Sequence, residues 1–180
     1  MNKYWFTFVA ICLLAFTSFT STPQPNIPAL RKQLIQAIDH KETTDSLYHS
    51  LGLIKQPSPL ITGYIGALEA LKAKHTWNPY YKIKYLNDCE DSFENAITRD
   101  PRNIELRFMR FSIEHNVPGF LGYNKNLNSD KHVLIEQISL KNYEHTDREL
   151  ITTAIKFLIG SRQCNPDERL TLSKQLASLN

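Results

Sequence analysis

Apolar residues recur with helical spacing along most of the chain, and each run is bounded by residues that start or stop helices. Three stretches share one plan: a helix starter and an apolar stripe, then a break, a second starter and a second stripe. The first helices of these pairs begin near Ser58, Asn103 and Thr146, so the unit recurs at roughly 43 residues. Strand signals are almost absent. The sequence therefore predicts an all-α protein built from stacked, antiparallel helix pairs.

Several helix starts are marked by specific capping residues. Ser58-Pro59, Asn78-Pro79 and Asn165-Pro166 each combine an N-cap side chain with a proline in the first turn. Thr146 and Glu149 form a capping-box pattern ahead of another apolar stripe. These signals predict four helix starts without reference to the rest of the chain.

Two helices are predicted to have special positions. A leading helix of about 24 residues precedes the first pair and ends at Gly52, with a break near Thr43-Thr44 as an open alternative. The helix from Asn103 to His115 carries apolar residues around most of its circumference. We expect it to be the central helix, covered on two sides. Residues 116–128 contain proline and two glycines, which indicates a loop.

The amino terminus has the pattern of an export signal. Lys3 is followed by the apolar run Trp5 to Phe16, and then by small hydroxylated residues. At 12 residues the run is shorter than the ~20 needed to cross a bilayer. We predict a signal peptide over residues 1–21, cleaved between Ser18 and Thr22. An uncleaved anchor and a lipoprotein attached at Cys12 are the alternatives.

Export predicts a periplasmic or cell-envelope location for the mature protein, with no integral membrane span after cleavage. Residues 22–27 form a short linker, and residues 28–180 form a single helical-repeat domain. The whole chain carries 21 basic and 18 acidic side chains, and removal of the signal takes away only one lysine. Such a balanced charge gives no general attraction to nucleic acid, so we predict no nucleic-acid partner.

Two cysteines, Cys89 and Cys164, remain in the predicted mature chain. An exported protein can form disulfides, but Cys89 lies on the apolar stripe of its helix, where a thiol behaves as a small hydrophobic group. A bridge between the two is therefore left open. Neither cysteine has a second Cys or His at metal-ligand spacing, so we predict neither a metal nor another cofactor.

One segment resembles a known superfamily. Cys89, Phe93, Ala96 and Pro101 follow the spacing of the second half of a tetratricopeptide repeat, and the match covers about a dozen residues. The whole chain also resembles exported bacterial proteins of this tetratricopeptide-like type. The resemblance implies a short right-handed solenoid that binds proteins or peptides on its concave face. It implies no catalytic residue.

The best candidates for a binding site lie on and after the predicted central helix. Arg107, Arg110 and Glu114 follow i, i+3, i+7 spacing and form one polar stripe on an otherwise apolar cylinder. Guanidinium groups bind carboxylates through paired hydrogen bonds. We therefore expect Arg107 and Arg110, together with Asn116 and Tyr123, to receive an anionic group of a partner.

Other interpretations of the polar and aromatic residues remain open. The two arginines can instead pair within the chain, with acids of the preceding helix such as Asp88 or Asp91. Residues 118–126 form a glycine-containing aromatic loop, either a recognition surface or a segment packed under the repeat. An aromatic concentration can stack on sugars or a peptide, or pack between helices or subunits. It comprises Trp77, Tyr80, Tyr81 and Tyr85.

Enzymatic motifs are missing from the sequence. The six histidines have no HExxH spacing, and there is no nucleophile elbow, phosphate loop or dinucleotide fingerprint. The glycines Gly63 and Gly66 lie within a predicted helix and indicate close helix packing. We predict a non-enzymatic adaptor that binds a protein or peptide. The alternatives are a structural subunit of an envelope complex, or a small helical hydrolase or metal-binding protein that uses Glu114, His115 and His132.

Overall fold

A computed structural model of the protein describes residues 25–143 and 146–179. These residues form eight α-helices and one 3₁₀ turn at Gly119–Leu121, and contain no strand, so the all-helical prediction is confirmed. The helices are α1 (Ile27–Ala37), α2 (Lys41–Gly52), α3 (Pro59–His75), α4 (Pro79–Arg99), α5 (Ile104–Asn116), α6 (Leu127–Ser139), α7 (Arg148–Gly160) and α8 (Pro166–Ser178). The predicted signal peptide lies outside the described residues. Among the helices of the described ranges, none combines the length and the apolar character needed to cross a membrane.

The helices begin where capping side chains satisfy free backbone N–H groups. Ser58, Asn78 and Asn165 each accept a hydrogen bond from a backbone N–H in the first turn of the helix that follows. At α7 the prediction was wrong by one residue. Asp147, and not Thr146, is the N-cap, and its carboxylate accepts the N–H of Glu149.

The predicted leading helix is two helices, α1 and α2, separated by residues 38–40. The break comes earlier than Thr43-Thr44, because Thr44 is part of α2 and stabilises the turn between the two helices. Its buried hydroxyl donates to the carbonyl oxygen of Ala37 at 2.8 Å, which satisfies an acceptor at the end of α1.

Two hydrophobic clusters form the core, and α5 belongs to both. Leu106 and Met109 pack in the first cluster, with residues of α1 to α4. Ile104 and Phe111 pack in the second, with residues of α6 to α8. Helix α5 contacts α3, α4, α6 and α7. The prediction that this helix is central is therefore confirmed.

Two glycines bring α3 close to its neighbours. A Cβ atom added to Gly63 would lie 2.2 Å from Cδ2 of Leu106 on α5, and one added to Gly66 would lie 3.1 Å from Cδ2 of Phe93 on α4. Real Cβ atoms do not approach other carbons at 2.2 Å, so the α3–α5 packing requires glycine at position 63. The predicted role of these glycines in close helix packing is confirmed.

Candidate functional site

An apolar cavity of about 680 Å³ lies between α1, α3, α5 and α7, and we call it the apolar cup. Its volume falls within the range of ~300–1,000 Å³ that is usual for ligand sites. The lining residues are Leu34, Ile38, Ala67, Ala70, Leu71, Lys74, Phe108, Met109, Ser112, Ile113, Asn116, Val117 and Phe157. Most of these side chains are apolar, so the cup is suited to a ligand with little polarity.

The cup exists because small side chains alternate with large ones on the helix faces around it. On α3, Ala67 and Ala70 lie on the cup side, where larger residues would fill the space. On α5, Ser112 lies one turn after Phe108, and its hydroxyl donates to the carbonyl oxygen of Phe108 at 2.8 Å. The hydroxyl of Ser112 is thus hydrogen-bonded within its own helix, and the wall of the cup remains essentially apolar.

Outside the cup lining, toward the amino-terminal ends of the surrounding helices, a polar network joins these helices. Arg31 of α1 donates to both carboxylate oxygens of Glu105 on α5, at 3.0 and 2.9 Å, and also to Asp147, the N-cap of α7, at 3.1 Å. The hydroxyl of Tyr64 on α3 donates to Glu105 at 2.5 Å. Burial, followed by the Glu105 charge, raises the pKa of Tyr64, which therefore remains a hydrogen-bond donor. The network fixes the spacing of α1, α3, α5 and α7.

One end of the cup carries two polar residues. Lys74 lies near the end of α3, and its ammonium group donates to the carbonyl oxygen of Ile38 at 2.6 Å. Asn116 is the last residue of α5, and its amide donates to Ser112 at 2.7 Å. A cation and an exposed amide thus stand at this end, where a partner's polar atoms can meet them.

The two candidate arginines are paired within the chain. Arg107 donates to Asp130 of α6 at 2.7 Å, and Arg110 donates to both carboxylate oxygens of Asp130 at 2.7 Å. Asp130 is 0% exposed. The partner is thus neither Asp88, which pairs with Lys84 at 2.6 Å, nor Asp91. An anionic ligand at these arginines would have to compete with a buried carboxylate.

Three of the five candidate residues, Arg110, Glu114 and Tyr123, line a cavity of about 20 Å³. A space of this size holds about one water molecule and excludes a peptide side chain. Glu114 accepts from the backbone N–H of Asn126 at 2.8 Å and from its side-chain amide at 2.7 Å. Tyr123 donates to Asn87 at 2.5 Å. These residues therefore hold the loop before α6, while Asn116 alone of the five lines the apolar cup.

We expect Glu114→Gln to change how stability depends on pH. Burial raises the pKa of Glu114 above its ordinary 4.5, although hydrogen bonds from Asn126 oppose the shift. The folded protein therefore keeps this proton to a higher pH than the unfolded chain does. The contribution of Glu114 to stability is complete below the unfolded pKa and is lost as the pH rises through the folded pKa.

The free energy of unfolding of the wild type, minus that of Glu114→Gln, should therefore fall as the pH rises from the ordinary pKa of a glutamate through the raised pKa of Glu114 in the folded protein. Urea denaturation at a series of pH values measures this difference. Glu94→Gln, at an exposed position of α4, is the matched control. Equal pH dependence in the two variants would contradict the assignment to Glu114.

The residues of the proposed hydrolase or metal site do not converge. His115 stacks on Phe111 with ring centroids 6.2 Å apart, and His132 is exposed. Within residues 25–143 and 146–179, no three His, Cys, Asp or Glu side chains gather at metal-binding distance. Cys89 and Cys164 are both free and buried, the first in the α1 to α5 cluster and the second in the α5 to α8 cluster. Burial raises the pKa of both thiols, which makes them poor nucleophiles.

The sequence did not predict the cup or the polar network. A signal for both was present on α5, where apolar residues cover most of the circumference and where the buried Glu105 lies between the buried Ile104 and Leu106. The segment that resembles a tetratricopeptide repeat does not line the cup. Its residues Cys89, Phe93 and Ala96 are all buried in the first hydrophobic cluster. In comparisons with known proteins, no protein-family model, no curated protein and no solved structure matches the chain.

Proposed function

We propose that this protein is an exported helical-repeat protein that acts as a protein- or peptide-binding adaptor in the periplasm or at the cell envelope. The apolar cup is its binding site. The observation that carries the proposal is a cavity of about 680 Å³ whose lining is nearly all apolar, with Lys74 and Asn116 as its main polar residues. Such a cavity suits recognition by burial of apolar groups and contains no arrangement for bond cleavage.

The order of helix contacts supports a short solenoid of helix pairs, and the resemblance to tetratricopeptide repeats makes its hand right-handed. Each helix from α1 to α5 contacts the next along the chain, α7 contacts α8, α6 contacts α8, and the alternate helices α1, α3, α5 and α7 are also in contact in sequence order. In a stack of helix pairs, the first helices of successive pairs line the concave face. The same four helices surround the cup, which agrees with binding on that face.

The cup favours an apolar segment of a peptide or an amphipathic helix. Burial of one Leu or Phe side chain contributes about 1.5–3 kcal/mol, and the volume admits more than one such group. Lys74 and Asn116 at the polar end can bind backbone carbonyl oxygens of the same segment. Affinity therefore comes from the apolar wall, and orientation from its polar end.

The test fills the cup and measures peptide binding. Ala70 lies on the cup wall and is partly exposed, so Ala70→Trp places a large side chain in the cavity without replacing a core residue. Peptides are selected from a displayed random library on the wild-type protein, and their affinities are measured by calorimetry. We expect Ala70→Trp to weaken the selected apolar peptides about 10- to 100-fold, the equivalent of one lost buried side chain.

Ala177→Trp is the matched control, because Ala177 is exposed on α8, a helix that contributes no residue to the cup lining. It should leave the affinities unchanged. Thermal unfolding shows whether each variant is folded. Selected peptides that bind Ala70→Trp as well as the wild type, or a library that gives no specific binder, would refute the cup as the binding site.

A further inference from the structure

A second surface, which shares no lining residue with the cup, exposes several aromatic rings around the turn between α3 and α4. Trp77 is 99% exposed, Tyr80 is 71% exposed and Tyr81 is 47% exposed. Exposed aromatic side chains that cluster on a folded protein mark binding surfaces more often than isolated ones do. None of these rings contributes to either hydrophobic cluster. We call Trp77, Tyr81 and Tyr85 the aromatic shelf, since all three line one depression.

Two rings of the shelf, those of Tyr81 and Tyr85, are held in place by their neighbours. Tyr80 packs edge to face on Tyr81, with centroids 5.4 Å apart. Tyr81 and Tyr85 are one helical turn apart on α4, and their ring planes differ by only 28° at a centroid separation of 6.3 Å. On the far side, the ammonium group of Lys72 lies 5.1 Å from the centroid of Tyr85. Tyr81 and Tyr85 thus form an ordered aromatic platform, and the almost fully exposed ring of Trp77 lines the same depression.

Hydrogen-bonding groups of both signs surround the platform. The depression has a volume of about 380 Å³, and its polar lining residues are Lys41, Asp45, Lys72, His75 and Thr76. Asp45 pairs with Lys41 and, at 2.8 Å, with Lys72, so these three charged side chains are already held in ion pairs and a single positive charge is left over. A depression of this kind offers hydrogen-bond donors and acceptors beside the aromatic rings. It favours a neutral ligand that has both an apolar face and many hydroxyl groups.

We propose that the aromatic shelf binds a neutral saccharide. A pyranose ring presents C–H groups on its faces and hydroxyl groups on its edges. Its faces can stack on Trp77 and Tyr81, while its hydroxyl groups donate to Asp45 and accept from the lysines. The one-turn spacing of Tyr81 and Tyr85 is close to the length of one sugar unit, so successive units of an oligosaccharide meet successive rings.

A lipid surface fits the same residues less well. Membrane-binding surfaces combine an outward apolar face with a cluster of several unpaired positive charges, whereas the shelf lines a depression in which both lysines are paired with Asp45 and only one positive charge is left over. A second copy of this chain, bound at the shelf, is a distinct outcome of the test below. The saccharide site does not depend on the cup, because the two share no lining residue.

Trp77 provides a direct spectroscopic probe. The chain has two tryptophans, so the full chain carrying Trp5→Phe contains Trp77 alone. This protein is titrated with three neutral hexasaccharides: β-1,4-linked glucose, β-1,4-linked N-acetylglucosamine and α-1,4-linked glucose. We expect at least one to give a saturable change in Trp77 fluorescence, and calorimetry to give a dissociation constant in the millimolar range or tighter.

Variants separate stacking from general surface effects. Calorimetry with the bound hexasaccharide should show about a tenfold loss of affinity for Trp77→Ala, and a similar loss for Tyr81→Ala. Tyr81→Phe keeps the ring face and should retain most of the affinity. Phe120→Ala is the matched control, because Phe120 is 88% exposed and lines neither the shelf nor the cup.

Three results would overturn the saccharide proposal. The first is that none of the three hexasaccharides binds the folded protein. The second is that binding persists unchanged in both Trp77→Ala and Tyr81→Ala. The third is that sedimentation detects a dimer which Trp77→Ala dissociates, since the shelf would then be an interface between two copies of this chain. The cup is tested separately with the selected peptides. A peptide that binds Trp77→Ala as tightly as the wild type, but binds Ala70→Trp more weakly, would place peptide binding in the cup and not at the shelf.

Discussion

Asp130→Asn is expected to lower the free energy of unfolding by about 3–5 kcal/mol, the largest effect of any single substitution proposed here. Asp130 is fully buried and accepts hydrogen bonds from Arg107 and Arg110. The asparagine side chain has almost the same shape but carries no charge. It leaves two guanidinium groups in a low-dielectric environment with no counter-charge.

The cost arises from both arginines at once. The side chains of Arg107 and Arg110 are 10% and 11% exposed, so water cannot replace the lost carboxylate without a rearrangement of α5 and α6. Arg107 keeps one hydrogen bond, from Nε to the carbonyl oxygen of Pro101 at 2.8 Å. That bond fixes the side chain in the buried position and prevents it from moving out to solvent.

Asp39→Asn is the control for this experiment. Asp39 also pairs with a cation, Lys74 at 3.4 Å, but its side chain is 81% exposed. Exposed pairs contribute about 0–1 kcal/mol, so this variant should differ little from the wild type. Urea denaturation of both variants at neutral pH measures the effect. Similar small losses in the two would show that the arginines are not held by Asp130.

A triple variant distinguishes structural pairing from ligand binding at the same arginines. Arg107→Met, Arg110→Met and Asp130→Leu together remove all three charges, and apolar replacements of a buried ionic group are often neutral or stabilising. Restored stability with unchanged peptide binding would assign the arginines to the fold alone. Lost peptide binding in a stable triple variant would support the sequence-based expectation that Arg107 and Arg110 receive an anionic group.

The helical architecture could be predicted because its determinants are local. Ser58, Asn78 and Asn165 cap helices through backbone groups two or three residues away, so the short sequence pattern contains the whole interaction. The central position of α5 was also predictable, since its apolar residues exceed what one face can bury. A predicted helix boundary was wrong where a contact between residues distant in sequence determines it. The break between α1 and α2 is the example, because the hydroxyl of Thr44 donates to the carbonyl oxygen of Ala37, seven residues earlier.

The sites could not be predicted because they depend on contacts between residues far apart in sequence. Arg31 and Asp147 are separated by 116 positions, and nothing near either residue indicates the other. Likewise, the alternative interpretation of the arginines placed their acids on α4, but α6 contributes the acid. The cup is harder still to infer, since a cavity is defined by the side chains that are too small to fill it. The small size of Ala70 has meaning only once α1, α3, α5 and α7 are placed around it.

Gly63→Val is expected to lower the free energy of unfolding by about 3 kcal/mol, at the upper part of the usual range for overpacking. Even a Cβ atom at this position would lie 2.2 Å from Leu106 Cδ2 and 3.3 Å from Met109 Cε. Leu106 is fully buried, so its side chain cannot rotate into free space. Helix α3 must therefore move away from α5, which loosens the first hydrophobic cluster and the wall of the cup together.

Gly160→Val separates this packing effect from the general effect of replacing a helical glycine. Gly160 is the last residue of α7, and a Cβ atom there would meet nothing within 4 Å. Valine has a somewhat better helix propensity than glycine, so Gly160→Val should change stability by no more than about 0.5 kcal/mol. Chemical denaturation of the two variants gives the comparison. If Gly63→Val proved as stable as Gly160→Val, α3 and α5 would have to be farther apart than described here, and the cup between them would have a different shape.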